Sequence, residues 1–156
     1  MQIRYAVLVG ASPEAVTAVI GSPEFHMFRI RRDPATVDVI SERLPDGAHR
    51  IRVTQRRRTA TGGLDKSATD PATQELRWSR PGELSWTWVQ GGRFAITLRG
   101  RFRVSAEGAG SRVETESDVE IGIPLVGRVL ERVVASELEK NNASLKEDLL
   151  ARLAAG

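Results

Sequence analysis

Two rhythms meet near the end of the chain. Through "RVETESDVEIGI", Arg112 to Ile123, apolar and polar residues alternate, the period of a strand with one buried face. Beyond Pro124, apolar side chains return every three or four residues: Val126, Leu130, Val134, Leu138, Leu145, Leu149 and Leu153, with Asn142 as the polar member of the stripe. A helix over roughly 125–154 would run about 45 Å at 1.5 Å per residue. Such a helix, only half apolar, needs a broad apolar surface to lie on. The strands before it must provide that surface.

The strands can be tested against one another. Folding the chain at Gly108-Ala109-Gly110 opposes Arg103 to Glu114, Arg101 to Glu116 and Arg99 to Asp118. One face becomes a ladder of opposite charges. The other face pairs Val104 with Val113, Phe102 with Thr115, Gly100 with Ser117, Leu98 with Val119 and Ile96 with Ile121. A tight turn at Gln90-Gly91-Gly92 would oppose Trp88 to Phe94, Trp86 to Ile96 and Leu84 to Leu98. One at Arg80-Pro81-Gly82 would oppose Trp78 to Leu84 and Leu76 to Trp86. Every apolar group then falls on one face, which a slip of one residue would reverse.

Upstream, "QIRYAVLVG" alternates Ile3, Tyr5, Val7 and Val9 and reads as a strand ending at Gly10. "SPEAV" and "SPEF" follow. Each offers a capping serine, a first-turn proline and a glutamate that complements the helix dipole. They predict short helices over about 12–20 and 22–31. "TVDVISERL" and "AHRIRVTQRRRT" flank the turn Pro45-Asp46-Gly47 as two more strands. Residues 60–70 are expected as a loose connection, up to Pro71, that gates a cavity or simply joins strands. The 156 residues hold neither a repeat nor a linker, and the whole chain, 1–156, is expected to be one α+β domain.

In order, these elements resemble the helix-grip fold of the START and birch-pollen-allergen superfamily, also called SRPBCC. The resemblance rests on "VGASPEAVTAVIGSPEF" and on "VEIGIPLVGRVLERVVASEL", the latter similar to the last strand and helix of actinobacterial members of unassigned function. It implies a seven-stranded curved antiparallel sheet, two short helices and a long C-terminal helix. It also implies a cavity between sheet and helix for a hydrophobic small molecule or lipid.

On that basis the expected cavity wall is Trp78, Trp86, Trp88, Phe94, Ile96, Leu98 and Phe102 from the sheet, facing Val133, Val134 and Leu138 from the helix. Phe25 and Phe28 would close one end. Thr115, Ser117 and Asn142 interrupt the apolar surfaces beside Gly100, and a ligand or water would have to satisfy them.

The opposing readings are an enzyme of polyketide-cyclase type and an adaptor. Tyr5, His26, Asp38, Glu42, Gln55 and Arg57 are the acid–base candidates, and they form no recognisable catalytic constellation. An adaptor would bind RNA, membrane or protein through "RIRVTQRRR", Arg50 to Arg58. Without interleaved aromatics, that run reads better as a solvated strand face, and nucleic acid is not an expected partner. With no cysteine and two histidines, neither metal nor cofactor is expected. No apolar run reaches the ~20 residues of a membrane span, and no signal-peptide pattern opens the chain, so a cytoplasmic location is expected. Net charge is only +3.

Overall fold

The computed structural model describes residues 1–59, 63–92, 95–121, 123 and 127–156. Strand β1 (Gln2–Val9) leads to helices α1 (Pro13–Ile20) and α2 (Pro23–Arg31). Six strands follow: β2 (Thr36–Arg43), β3 (His49–Arg58), β4 (Leu64–Arg80), β5 (Glu83–Gln90), β6 (Ile96–Glu107) and β7 (Gly110–Glu120). Helix α3 (Gly127–Ala155) ends the fold. The strands form one curved antiparallel sheet in the order β1-β7-β6-β5-β4-β3-β2. This is the helix-grip architecture expected from the sequence.

The two serine caps behave differently. Ser12 accepts a hydrogen bond from the Ala15 amide at 3.2 Å and so satisfies an orphan donor of α1. Ser22 instead donates to Glu24 at 2.7 Å and makes no cap bond to the backbone. The hairpin after β2 closes at Gly47, whose φ of 88° suits a residue without Cβ.

Between β6 and β7 the register is the expected one, from Arg99 opposite Asp118 to Val104 opposite Val113. Leu76 opposite Trp86 and Trp78 opposite Leu84 also hold between β4 and β5. The β5–β6 pairing departs by four residues, with Leu84 opposite Phe102, Trp86 opposite Gly100 and Trp88 opposite Leu98. Size complementarity accounts for it. The Trp86 indole occupies the space a side chain at Gly100 would take, so a Cβ built there would meet Trp86 and the Glu116 carbonyl at 2.5 Å. An even shift preserves which face each residue presents.

Residues 64–71 form strand rather than the expected loose connection, pairing Leu64 with Arg58 and Thr69 with Arg56. Pro71 is tolerated because its carbonyl accepts from Gly91 just beyond the end of β5. In an antiparallel strand its missing N–H would point the same way, where pairing has already stopped.

Helix α3 comes nearest, along its backbone, to β1, α1 and β7, and its Leu130, Val134 and Leu138 pack against the core that includes Trp86 and Leu98. It leaves from the end of β7, and β1 extends the sheet on that side, so the nearest apolar surface is there. Leu145 and Leu149 are fully buried, while Leu130, Val134 and Leu138 pack partly buried against the core. A charged clamp fixes the far end. Asp148, buried on α3, accepts from Arg29 at 3.0 Å and from Arg32 at 2.6 and 2.7 Å, tying α2 to α3.

Candidate functional site on the concave face

The strand registers lay out the concave face as rows of side chains. Trp78, Leu84, Phe102, Thr115 and Tyr5 form one row across five strands. Leu76, Trp86, Gly100, Ser117 and Ile3 form the next. Then come Ile51, Gln74, Trp88, Leu98 and Val119, and beyond them Val53, Ala72, Gln90 and Ile96. The first two rows are closed along most of their length, with Leu84, Phe102, Thr115, Leu76, Trp86 and Ser117 all buried. In the last two, a contiguous patch of Gln74, Trp88, Gln90 and Ile96 stays half-exposed between buried neighbours. The interior surface is therefore partly accessible on β4–β6, as it also is at Trp78, Tyr5 and Ile3 at the ends of the first two rows.

The expected site residues distribute as follows. Trp86, Leu98 and Phe102 are buried in the core, and Trp88 and Ile96 border the open patch. Thr115 and Asn142, each expected as an interruption of an apolar surface, meet across the sheet–helix interface at 3.2 Å. The Thr115 hydroxyl donates to Asn142 Oδ1. Val134 and Leu138 face the core from α3, whereas Val133 is 56% exposed. Trp78 is 44% exposed, because its row runs past the covered area. Its indole rests against Gly21, at the end of α1, and borders a concavity of about 430 Å³ with Thr17 and Pro81. Phe94, with Gly62, Pro124 and Val126, lies outside the described residues.

Phe25 is fully buried but Phe28 is 48% exposed and does not close the chamber. The buried face of α2 instead runs through Phe25, His26 and Arg29, since Asp148 draws Arg29 inward. Phe28 turns outward and lies under the Arg32 guanidinium at 5.2 Å.

Among the acid–base candidates, His26 sits in an apolar enclosure, edge-on to Phe25 at 5.2 Å and tilted on Phe102 at 5.8 Å. Burial pushes its pKa down to about 4, reinforced by Arg29 and opposed by the Ile20 carbonyl, which accepts from Nε2 at 2.6 Å. The imidazole is thus neutral and already engaged. Arg57 binds Asp70 at 2.8 Å, and its hydrogen bond holds the Asp70 carboxyl below its ordinary pKa. Glu42 pairs with Arg50 and Arg52, and Asp38 is exposed. Gln55 is buried opposite Asp70 across β3 and β4, on the same strand as Arg57, while Tyr5 lies on β1 and His26 on α2. No group of three or more potential metal ligands occurs among the described residues.

The arginine run is largely neutralised in place. Arg50 binds Glu75 at 2.8 Å, Arg52 binds Glu42 at 2.9 Å, and Arg58 binds Asp33 at 2.9 Å. The convex face continues in the same manner through Arg101–Glu116 and Arg103–Glu83, around a concavity of about 460 Å³ lined also by Arg4 and Arg112. Glu83 is held at a pKa of about 2, chiefly by the hydrogen bond from Arg103.

Sequence reasoning passed over Gln74. Its signal was the parity of "TQELRW", which puts Gln74 on the face of Leu76 and Trp78. Its Oε1 is the one buried side-chain polar atom without a hydrogen-bond partner among the described residues.

Comparison with known proteins agrees with this architecture. TTHA0849 from Thermus thermophilus superposes with a TM-score of 0.69 at 18% identity, covering 99% of this chain and 98% of its own. A START superfamily protein from Mycobacterium smegmatis gives 0.66 at 17% identity, over 96% and 97%. The Zhui aromatase/cyclase from Streptomyces sp. R1128 gives 0.63 at 11% identity, over 99% and 93%. At these identities the likeness is one of fold. No curated protein matches it in sequence. A family model described as protein of unknown function (DUF2505) matches residues 4–150.

Proposed function

The chain belongs to the DUF2505 family, and we propose that it binds and carries a hydrophobic small molecule or lipid on the concave face of its sheet. The observation that carries this reading is the partly accessible patch of Trp88, Ile96, Gln74 and Gln90, which adjoins the buried apolar residues Leu98, Ala72 and Leu76. Ligand sites combine apolar walls with a few polar groups in this way. The fold it shares with a START superfamily protein and an aromatase/cyclase supports it. Arg57 and Asp70 engage each other, and His26 is enclosed and neutral, which favours binding over acid–base catalysis. The neutralised arginine run favours it over docking on a polyanion.

Native mass spectrometry of the purified protein, with solvent extraction of what copurifies, tests the proposal. A discrete adduct of one molecule per chain is expected. In parallel, an apolar fluorescent probe should quench tryptophan emission saturably. Trp88→Arg should abolish that quenching while leaving the unfolding transition cooperative. Unsaturable quenching, or quenching unaltered by Trp88→Arg, would overturn the reading.

A further inference from the structure

Gln74 differs from the other inward polar groups. Thr115 is satisfied by Asn142, Asp70 by Arg57, Ser111 by the Ala11 carbonyl, and His26 by the Ile20 carbonyl. Gln74 Oε1 is buried with no partner. Among the described residues, no protein group accepts from its amide nitrogen either. Leaving a buried acceptor unpaired disfavours the folded state by roughly five- to 150-fold. Among the described residues Gln74 Oε1 is the one fully buried side-chain polar atom left without a partner, and it lies at the edge of a partly accessible interior patch. It lies between Ile51 and Trp88 in its row, two strands from Leu98.

Resting on the reading above, we infer that Gln74 is a specificity-determining residue that selects an apolar ligand bearing a hydroxyl group. The hydroxyl donates to Oε1 while the apolar body lies along Trp88 and Leu98. A hydroxyl also fits the opposite amide orientation, because it can accept from the amide nitrogen as well as donate to the oxygen. An ether of the same body cannot donate, so it leaves Oε1 unpaired and incurs the desolvation penalty again. Sites built around a hydrogen bond reject analogues lacking it far more strongly than apolar pockets reject a missing methylene.

Two matched probe pairs test this: naphthol against methoxynaphthalene, and a medium-chain alkanol against its methyl ether. Affinities are read by titration calorimetry on the full chain, wild type and Gln74→Met, which keeps length and volume without the amide. The wild type should prefer at least one alcohol over its ether by about tenfold or more. Gln74→Met should hold the ether at least as tightly and bring that preference within about twofold. Gln74→Leu serves as the second apolar variant. No preference in the wild type, or one that survives both substitutions, overturns the role of Gln74 and leaves hydrophobic binding standing. If none of the four probes binds, both the assignment and the reading beneath it fail.

Discussion

Acid should weaken this protein in two stages, the first belonging to His26. The side chain is 4% exposed, and burial pulls its pKa from 6.5 to about 4. A folded pKa below the unfolded one means that the native state binds fewer protons in the interval between them. The stabilisation is therefore complete above about pH 6.5 and is lost as pH falls toward 4. With those two values, proton linkage removes about 2.5 kcal/mol between pH 7 and pH 4.5. That is a large share of the ~5–15 kcal/mol stability of a typical domain. Urea unfolding of the wild type and His26→Phe across this range should show it. Both proteins keep His49 and every carboxylate, so the difference between their pH profiles isolates His26. The carboxylates act lower: Glu83, at about 2, and Asp70 contribute stability above their unfolded values that is lost as pH falls through the folded ones. A His26 resonance titrating near 6.5, or identical acid limbs for the two proteins down to about pH 5, would refute the burial argument.

Three further substitutions probe the fold. Asp148→Ala strands Arg29 in the α2–α3 interface and should cost about 3–5 kcal/mol in urea unfolding; the apolar pair Arg29→Met with Asp148→Leu should recover most of it. Gly100→Ala forces a methyl group against the Glu116 carbonyl and the Trp86 ring, for about 1–3 kcal/mol and a shifted tryptophan emission. Gln74→Met removes an unpaired buried acceptor and should raise the unliganded protein's stability by about 1 kcal/mol or more, read as a higher urea midpoint at unchanged slope.

The sequence carried the fold far because its apolar parity is strict. From β4 to β7, which face a residue presents followed from alternation alone. The β6–β7 register came out residue for residue because Gly108-Ala109-Gly110 leaves little freedom in where the hairpin folds. The β5–β6 register did not. Gln90-Gly91-Gly92 resembles a tight turn, yet the chain folds later, at a point set by how an indole fits over a glycine on the neighbouring strand. That preference lives in the pairing and not in either strand read separately. Residues 64–71 were obscured for a related reason. Their composition is polar, and their strand state follows from pairing with β3, whose own arginines they oppose.

Polar residues on an apolar face expose a deeper limit. Parity shows that Thr115 points inward, and helical spacing shows that Asn142 lies on the stripe facing it. Neither tells that the two side chains meet, since that depends on where α3 crosses the sheet. The crossing is fixed elsewhere, by Asp148 gripping Arg29 and Arg32 and by the exit of α3 from β7. The same clamp turns Phe28 outward and brings Arg29 in, so one buried ion pair decides both outcomes. Gln74 lies on β4, away from the strands that α3 approaches nearest. The helix comes nearest to β1 and β7 and brings no polar partner to the Gln74 acceptor on β4.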